Sequence, residues 1–311
     1  MKAQVITRFG DPEVFEYGEV DSPAAGPGQV LVRVAVAAVN PLDAKIRAGA
    51  LASMLPIDFP AVLGNEIAGV VEAVGDGVPD FSAGERVVGF APSGGYAELV
   101  VTTPDRLVRV PDTLPLTQAA TLPTAAETAQ RALALLDVQP GETVVVNAAA
   151  GSVGSAVVQL LVAAGARVIG TASETNHDYL RALGATPVRY GEHLLADLDQ
   201  AAPDGVDAAF DAGGRGFAEQ MLALVDPSRI VTIVDFAAAA KGVRIAAGDP
   251  FALNARSLPP VLDLAAAGRF ATEIAAVVPF DGVAEAHRRS ERGHLRGKLL
   301  VRVADIPGAH A

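Results

Sequence analysis

The chain has no cysteine and no tryptophan among its 311 residues. The first absence excludes disulfides, thiolate nucleophiles and thiolate-ligated metals. Charge is also scarce: 19% of residues are charged, and acidic side chains outnumber basic ones 36 to 24, for a formal net charge of -12. Such a field repels phosphate backbones and no basic stripe interrupts it, so no nucleic-acid partner is expected. Long apolar runs are missing too. The most hydrophobic stretch, AVVQLLVAAGARVIG from Ala156, is broken by Gln159 and Arg167 and falls short of the ~18 uninterrupted residues that a spanning helix needs. The opening MKAQVITRFGDPEV carries no apolar segment after its single lysine and does not read as a signal peptide. No membrane partner is expected, and a cytoplasmic location is the default.

What is present has two textures. Up to about residue 118, turn signals such as Gly10-Asp11-Pro12, Pro27-Gly28 and Gly75-Asp76-Gly77 separate short β-branched runs, among them QVLVRVAVAAV, GVVEAVG and RVVGFA. This pattern predicts a β-rich, barrel-like domain. From about Ala119 an Ala-rich helical stretch leads into ETVVVN, SAVVQLLVAAG, ARVIGTA, NHDYLRALG, TPVRY, VDAAFDA and RIVTIVD. Strands that alternate with helices of about ten residues predict a doubly wound parallel sheet. The last fifty or so residues read as helix LPPVLDLAAAG, strand AAVVPF, helix VAEAHRRS and strand KLLVRV. The expected division is therefore residues 1–119, 120–258 and 259–311.

The most informative segment is ETVVVNAAAGSVGSAVVQL. Its strand, Val144 to Val146, runs into a turn of small residues and leaves as a helix that begins near Ser152. Small side chains let a backbone approach a pyrophosphate, whose charge is stabilised by the free N–H groups at a helix start. Ala150, Gly151, Ser152 and Val153 are the candidates for that contact, and a second strand at Ala166 to Thr171 supplies the expected context. The acid that would hold both ribose hydroxyls of NAD belongs at the end of that second strand, where the chain reads Thr171, Ala172 and Ser173. A 2′-phosphate would meet no carboxylate at 172, and Ser173 offers it a donor. Glu174 either swings toward the ribose or acts as a first-turn acid that interacts with the helix dipole. Tyr190 is a further candidate for lining the adenosine phosphate pocket.

Several segments together carry a resemblance: AAVNPLDAKIRAG, FPAVLGNEIAGVVEAVGDGV, AGERVVGF, GGYAELVV, the AAAGSVGSAVVQL turn, GTASETNHDYLRALGA and GHLRGKLLVRV. In these the chain resembles the medium-chain dehydrogenase/reductase superfamily, and within it the zinc-free quinone oxidoreductase (zeta-crystallin-like) family. The resemblance implies a GroES-like catalytic domain, a Rossmann cofactor domain and a C-terminal return to the first, with the active site in the cleft between them. It also implies NADPH as cofactor and a homodimer.

Zinc-dependent relatives carry a Cys where this chain has Asn40, and a His after the glycine where it reads Gly64-Asn65-Glu66. Neither residue type occurs between Met1 and Asn176, so the usual three-ligand catalytic zinc site cannot be built there. Enone-reducing relatives often carry a Tyr shortly after the motif that reads Arg47-Ala48-Gly49 here, where this chain has Leu51. The resemblance places Asn40 near nicotinamide and substrate, as the candidate catalytic and cofactor-binding residue; the alternative is a loop amide that caps the turn before Pro41. It also places Thr128 and Lys298 near the cofactor, against a backbone-bonded helix threonine and an exposed strand start as the plain readings. Phe236, just beyond the fifth strand of the parallel sheet, is expected at the carboxyl edge where ligands bind. Asp43 reads as a solvated partner of Lys45 or Arg47, Glu66 as structural, and Tyr96 as packed in the barrel.

A nicotinamide reductase without zinc or tyrosine lacks a strong electrophile for a saturated ketone. A quinone or an α,β-unsaturated carbonyl delocalises the charge itself, so these are the expected acceptors. Enoyl-thioester or polyketide-intermediate reduction, and a non-enzymatic NADPH-binding scaffold, are the alternatives.

Overall fold

In a computed structural model, residues 1–248 and 253–306 are described. The chain divides into two compact units, Met1–Pro123 with Pro250–Ala311, and Thr124–Asp249. The first division lies four residues beyond the expected boundary at 119, and the second nine residues before the expected boundary at 258.

The first unit contains β1 (Lys2–Ile6), β2 (Phe15–Glu19), β3 (Val30–Val39), α1 (Pro41–Arg47), β4 (Ala61–Val62), β5 (Glu66–Val74), β6 (Arg86–Phe90), β7 (Leu99–Thr102), β8 (Leu107–Arg109) and α2 (Leu116–Ala119). Its organising strand is β3, whose sequence VLVRVAVAAV leaves only Arg33 exposed. Near-continuous β-branched and small residues suit a strand covered on both faces. On one edge β3 pairs with β5; on the other, β7 takes its first half and the returning C-terminal strand its second. A separate three-stranded sheet has the order β2-β1-β4. Between them lies an apolar core that includes Ile6, Val34, Ile67, Val87 and Tyr96.

The second unit follows with α3 (Pro123–Leu136), β9 (Thr143–Asn147), α4 (Ser152–Ala163), β10 (Arg167–Ala172), α5 (His177–Ala182), β11 (Thr186–Arg189), α6 (Leu194–Ala201), β12 (Ala208–Asp211), α7 (Phe217–Met221), β13 (Ile230–Thr232) and β14 (Arg244–Ile245). The sheet order is β11-β10-β9-β12-β13-β14, parallel throughout. Strand order reverses at β9, with β10 on one side and β12 on the other. In open parallel sheets that switch point is where ligands bind, at the carboxyl ends of the strands. β9 is buried at every position, as a strand covered by helices on both faces must be.

The chain then returns to the first unit through α8 (Leu258–Ala266), β15 (Ile274–Val278), α9 (Val283–Arg292) and β16 (Lys298–Arg302). β16 pairs antiparallel with β3, Leu299 opposite Val39, and parallel with β15. On α9 the spacing of Val283, Ala286 and His287 puts all three on the one buried face of a helix. The fold is thus α/β, with a β-rich unit built from the first and last parts of the sequence and a doubly wound unit built from the part of the sequence between those two. No helix among the described residues is long and apolar enough to cross a membrane.

Candidate functional site

In the second unit, β9 delivers the chain into a turn in which Ala148 adopts a left-handed φ of 55°. The turn closes through the Gly151 N–H, which donates to the Ala148 carbonyl at 3.0 Å. Helix α4 starts at once, with Gly151 at its N-cap. Gly154 is needed for this closeness: a Cβ there would stand 2.2 Å from the Ala148 carbonyl oxygen. The N–H groups of the first turn, including those of Ser152 and Val153, have no intrahelical acceptor. The Ser152 hydroxyl is buried and makes no hydrogen bond within the protein. A close backbone approach, orphan donors and the positive end of a helix fit a dinucleotide's pyrophosphate. Ala150, Gly151, Ser152 and Val153 stand together on this turn.

At the ends of β10 and β11 lies a polar group of different character. Ser173 Oγ is 2.9 Å from Thr175 Oγ1 and accepts from Asn176 Nδ2 at 3.0 Å. Ala172 is buried and is paired in register with Arg189. The Arg189 guanidinium meets Glu174 at 3.3 Å, both side chains largely exposed. Glu174 is therefore occupied by a surface ion pair, and Arg189 is the residue that sequence reasoning passed over. Tyr190 is 41% exposed and Phe236 57% exposed; Phe236 opens a short 3-10 stretch after β13. Thr128 is buried on α3 and its hydroxyl lies 3.3 Å from Glu127 Oε2.

In the first unit, Asn40 is the N-cap of α1 and forms a capping box with Asp43, and its side chain also bonds two residues outside the helix. Asn40 Nδ2 donates to Glu66 Oε2 at 2.9 Å, and Lys298 Nζ donates to Asn40 Oδ1 at 2.6 Å. Lys298 Nζ also lies 2.6 Å from Glu66 Oε2. All three residues are buried, so the ammonium is balanced by a carboxylate in a dry place. One Nδ2 hydrogen of Asn40 remains for another acceptor.

Asp43 corrects an expectation. It makes no pair with Lys45 or Arg47 and is not solvated: it is 2% exposed. Its Oδ2 accepts the Asn40 N–H at 2.8 Å and the Tyr96 hydroxyl at 3.2 Å. Burial pushes its carboxyl up to about 6, against the opposing pull of those two bonds and of Lys298. Tyr96 is raised well above the usual phenol range by burial and by Asp43. With its proton directed to Asp43, the Tyr96 oxygen is left to accept from His287 Nε2, 3.3 Å away. His287 Nδ1 is then a bare, buried nitrogen without a partner, and burial with the nearby Arg47 charge lowers the imidazole to about 3. Arg47 reaches Glu291 on α9 instead of Asp43.

Beside this network a cavity of about 530 Å³ is lined mainly by apolar side chains, including Leu42, Ile46, Leu55 and Ile57, with Asp43 and Asn65 among its polar members. The Asn65 Oδ1 is buried without a partner. Among the described residues no group of three or more His, Cys, Asp or Glu is arranged to hold a metal ion.

Comparison with known proteins gives this geometry its family. The model for the alcohol dehydrogenase GroES-like domain matches residues 26–112, and that for zinc-binding dehydrogenase residues 183–301. The chain is 32% identical to the NADPH-dependent alkenal/one oxidoreductase of Arabidopsis thaliana, over 97% of its own length and 79% of that protein. The quinone oxidoreductase of Coxiella burnetii superposes with a TM-score of 0.87 at 32% identity, covering 98% of this chain and 99% of that one. The chain belongs to the medium-chain dehydrogenase/reductase family, on its quinone oxidoreductase branch. This family is one of nicotinamide-dependent oxidoreductases. A further relative, a pikromycin polyketide synthase component of Streptomyces venezuelae, is 38% identical over 65% of this chain, and the match spans 5% of that much longer protein.

Proposed function

We propose that this chain is an NADPH-dependent reductase of quinones or α,β-unsaturated carbonyls that works without zinc. The observation that carries the reading is the buried Asn40–Lys298–Glu66 cluster. At the position where zinc-dependent members of the family place a thiolate, this chain has an amide held by its own lysine and carboxylate. The nicotinamide, when bound, would supply hydride to the acceptor's β-carbon or quinone ring.

The protein's share is binding and orientation. The turn from Ala148 to Ser152 takes the pyrophosphate. Ser173, Arg189 and Tyr190 take the 2′-phosphate, which meets Ala172 where an NAD enzyme needs an acid. Asn40 orients the reacting groups through its remaining N–H, and the apolar cavity receives the body of the acceptor and excludes water. Thr128 and Lys298 are assigned to the cofactor on the family pattern, and Phe236 on its place just beyond β13 at the carboxyl edge of the sheet. The enolate or hydroquinone anion left by hydride transfer takes its proton from water. Such an acceptor holds negative charge on a conjugated oxygen, which a saturated ketone does not.

NADPH consumption against quinones, alkenals, cyclic enones, enoyl thioesters and saturated ketones tests this, with and without exhaustive chelation. Turnover of conjugated acceptors that survives chelation is expected. Equal rates on an enone and its saturated ketone, or loss of activity together with a stoichiometric zinc, would refute the reading. A trans-enoyl reductase of Aspergillus japonicus among the relatives favours enoyl substrates such as enoyl thioesters as the second acceptor class, which the same panel resolves. We also propose a cytoplasmic homodimer, for which light scattering on the purified chain gives the mass.

A further inference from the structure

We propose that Asp211 is a positioning residue for the dinucleotide, a buried carboxylate that sets the three loops at the carboxyl edge of the parallel sheet. The proposal rests on the dinucleotide reading above and concerns residues that no sequence motif singled out.

Asp211 ends β12 directly across the switch point from Asn147, its register partner at the end of β9. It is fully buried. Its Oδ1 accepts from Asn147 Nδ2 at 2.8 Å and from the N–H groups of Gly213 and Gly214 at 2.9 and 2.8 Å. Its Oδ2 accepts from Thr232 Oγ1 at 2.9 Å. On one side the chain of bonds continues to β10, where Thr171 Oγ1 donates to Asn147 Oδ1 at 2.7 Å and takes the Ala148 N–H at 3.3 Å. On the other side Thr232 Oγ1 takes the N–H groups of Val234 and Asp235 at 3.1 and 3.0 Å. Four side chains on four adjacent strands thus form one continuous belt, with its free ends on backbone N–H groups. Those belong to the pyrophosphate turn at Ala148, to the loop at Gly213 and Gly214, and to the loop that leads into Phe236.

Sheet stability does not require this arrangement. A buried carboxylate whose partners are all neutral is costly to desolvate, and a strand end toward which no loop N–H groups turned could be filled by an apolar side chain at lower cost. Only an acceptor-only group takes donors from four directions at once. An amide at 211 would point an N–H at Thr232 Oγ1, which already accepts two. Gly213 lets the loop fold onto the belt, since a Cβ there would stand 2.8 Å from Asn147 Nδ2. The cost is met where three ligand-facing loops must keep a fixed spacing, which is how supporting hydrogen bonds raise the precision of a binding site.

The test uses the full chain and three readouts: NADPH dissociation constant by fluorescence titration, melting temperature without ligand, and kcat at saturating NADPH. Asp211→Asn is expected to weaken NADPH at least about tenfold, the loss of one hydrogen bond to a charged group. Its kcat at saturation should stay near wild type. Thr171→Val keeps shape and β-branching while it removes the hydroxyl that ties Ala148 to the belt, so it should weaken NADPH severalfold, and because Asn147 Oδ1 and the Ala148 N–H lose their partner the melting temperature should fall as well. Wild-type affinity in Thr171→Val overturns the proposal, whether or not Asp211→Asn folds. A variant of either kind that loses melting temperature but keeps its affinity also overturns it, because the belt would then serve only the fold. A wild-type chain that binds neither NADPH nor NADH overturns the dinucleotide reading itself, and this proposal with it.

Discussion

Lys298 Nζ and Glu66 Oε2 lie 2.6 Å apart with side chains 4% and 0% exposed, and Asn40 bonds to both. A buried ion pair is worth less than its Coulomb attraction suggests, because both ions have been desolvated, yet removal of one partner leaves a charge stranded. Lys298→Met should therefore cost about 3–5 kcal/mol of stability. The double variant Lys298→Met with Glu66→Leu should recover a good part of that. Urea unfolding of the two variants checks this; a double variant less stable than Lys298→Met alone would show that the pair is not what holds the carboxylate.

His287 and Asp43 should give opposite pH dependences of stability. Burial and Arg47 depress the His287 imidazole from 6.5 to about 3, so between those values the unfolded chain binds the extra proton and stability falls as pH falls. Asp43 is raised from 3.8 to about 6, so in that window the folded chain holds the extra proton and stability rises as pH falls. The two partly offset each other in the wild type. In His287→Gln the His287 trend is gone, and the stability of variant minus wild type should climb by roughly 1.4 kcal/mol per pH unit as pH drops below 6.5. A difference that stays flat from pH 7 to 4 would mean that the imidazole is protonated in the fold.

The architecture was legible because its signals are local. QVLVRVAVAAV reads as a buried strand, and ETVVVN followed by small residues and SAVVQLLVAAG carries its own strand, turn and helix. Asp43 was not legible, because residues two and four places along on α1 offered partners, whereas its actual ones are the Asn40 N–H and Tyr96, 53 residues away. Lys298 and Asn40 are 258 residues apart; only the family resemblance linked both to one function, and nothing local foretold their bond. Asp211 had one available signal, a carboxylate at a strand's carboxyl end followed by two glycines. That signal acquires meaning only when the strand order places it opposite Asn147.

Gly154→Ala should damage the pyrophosphate turn more than a single methyl suggests. The added Cβ would stand 2.2 Å from the carbonyl oxygen of Ala148, a backbone atom that cannot rotate aside. Overpacking of this kind costs about 1–3 kcal/mol, and relief by moving Ala148 would widen the turn proposed to take the pyrophosphate. NADPH titration should show strong loss of affinity, together with a lower melting temperature. Ala148→Gly is the control: glycine relieves the left-handed φ of 55°, so binding should persist. Unimpaired NADPH binding by Gly154→Ala would place the pyrophosphate elsewhere.

Cofactor choice should turn on Arg189. Its guanidinium stands at the end of β11, opposite Ala172 in register, and is held at 3.3 Å by Glu174. A 2′-phosphate carries more negative charge than a carboxylate and offers three acceptor oxygens, so it competes for this guanidinium with the help of the Ser173, Thr175 and Asn176 side chains. NADH has only a hydroxyl there and gains little. Arg189→Ala should then weaken NADPH by about tenfold or more, the worth of a charge-assisted bond of roughly 1.5–3 kcal/mol, while NADH affinity changes little. Glu174→Gln releases the guanidinium from its competitor and should tighten NADPH, an effect that shrinks as salt is raised because both side chains are exposed. Equal weakening of both cofactors in Arg189→Ala would make that residue a structural support. An unchanged NADPH affinity would move the 2′-phosphate away from the end of β11 and return Glu174 to the ribose.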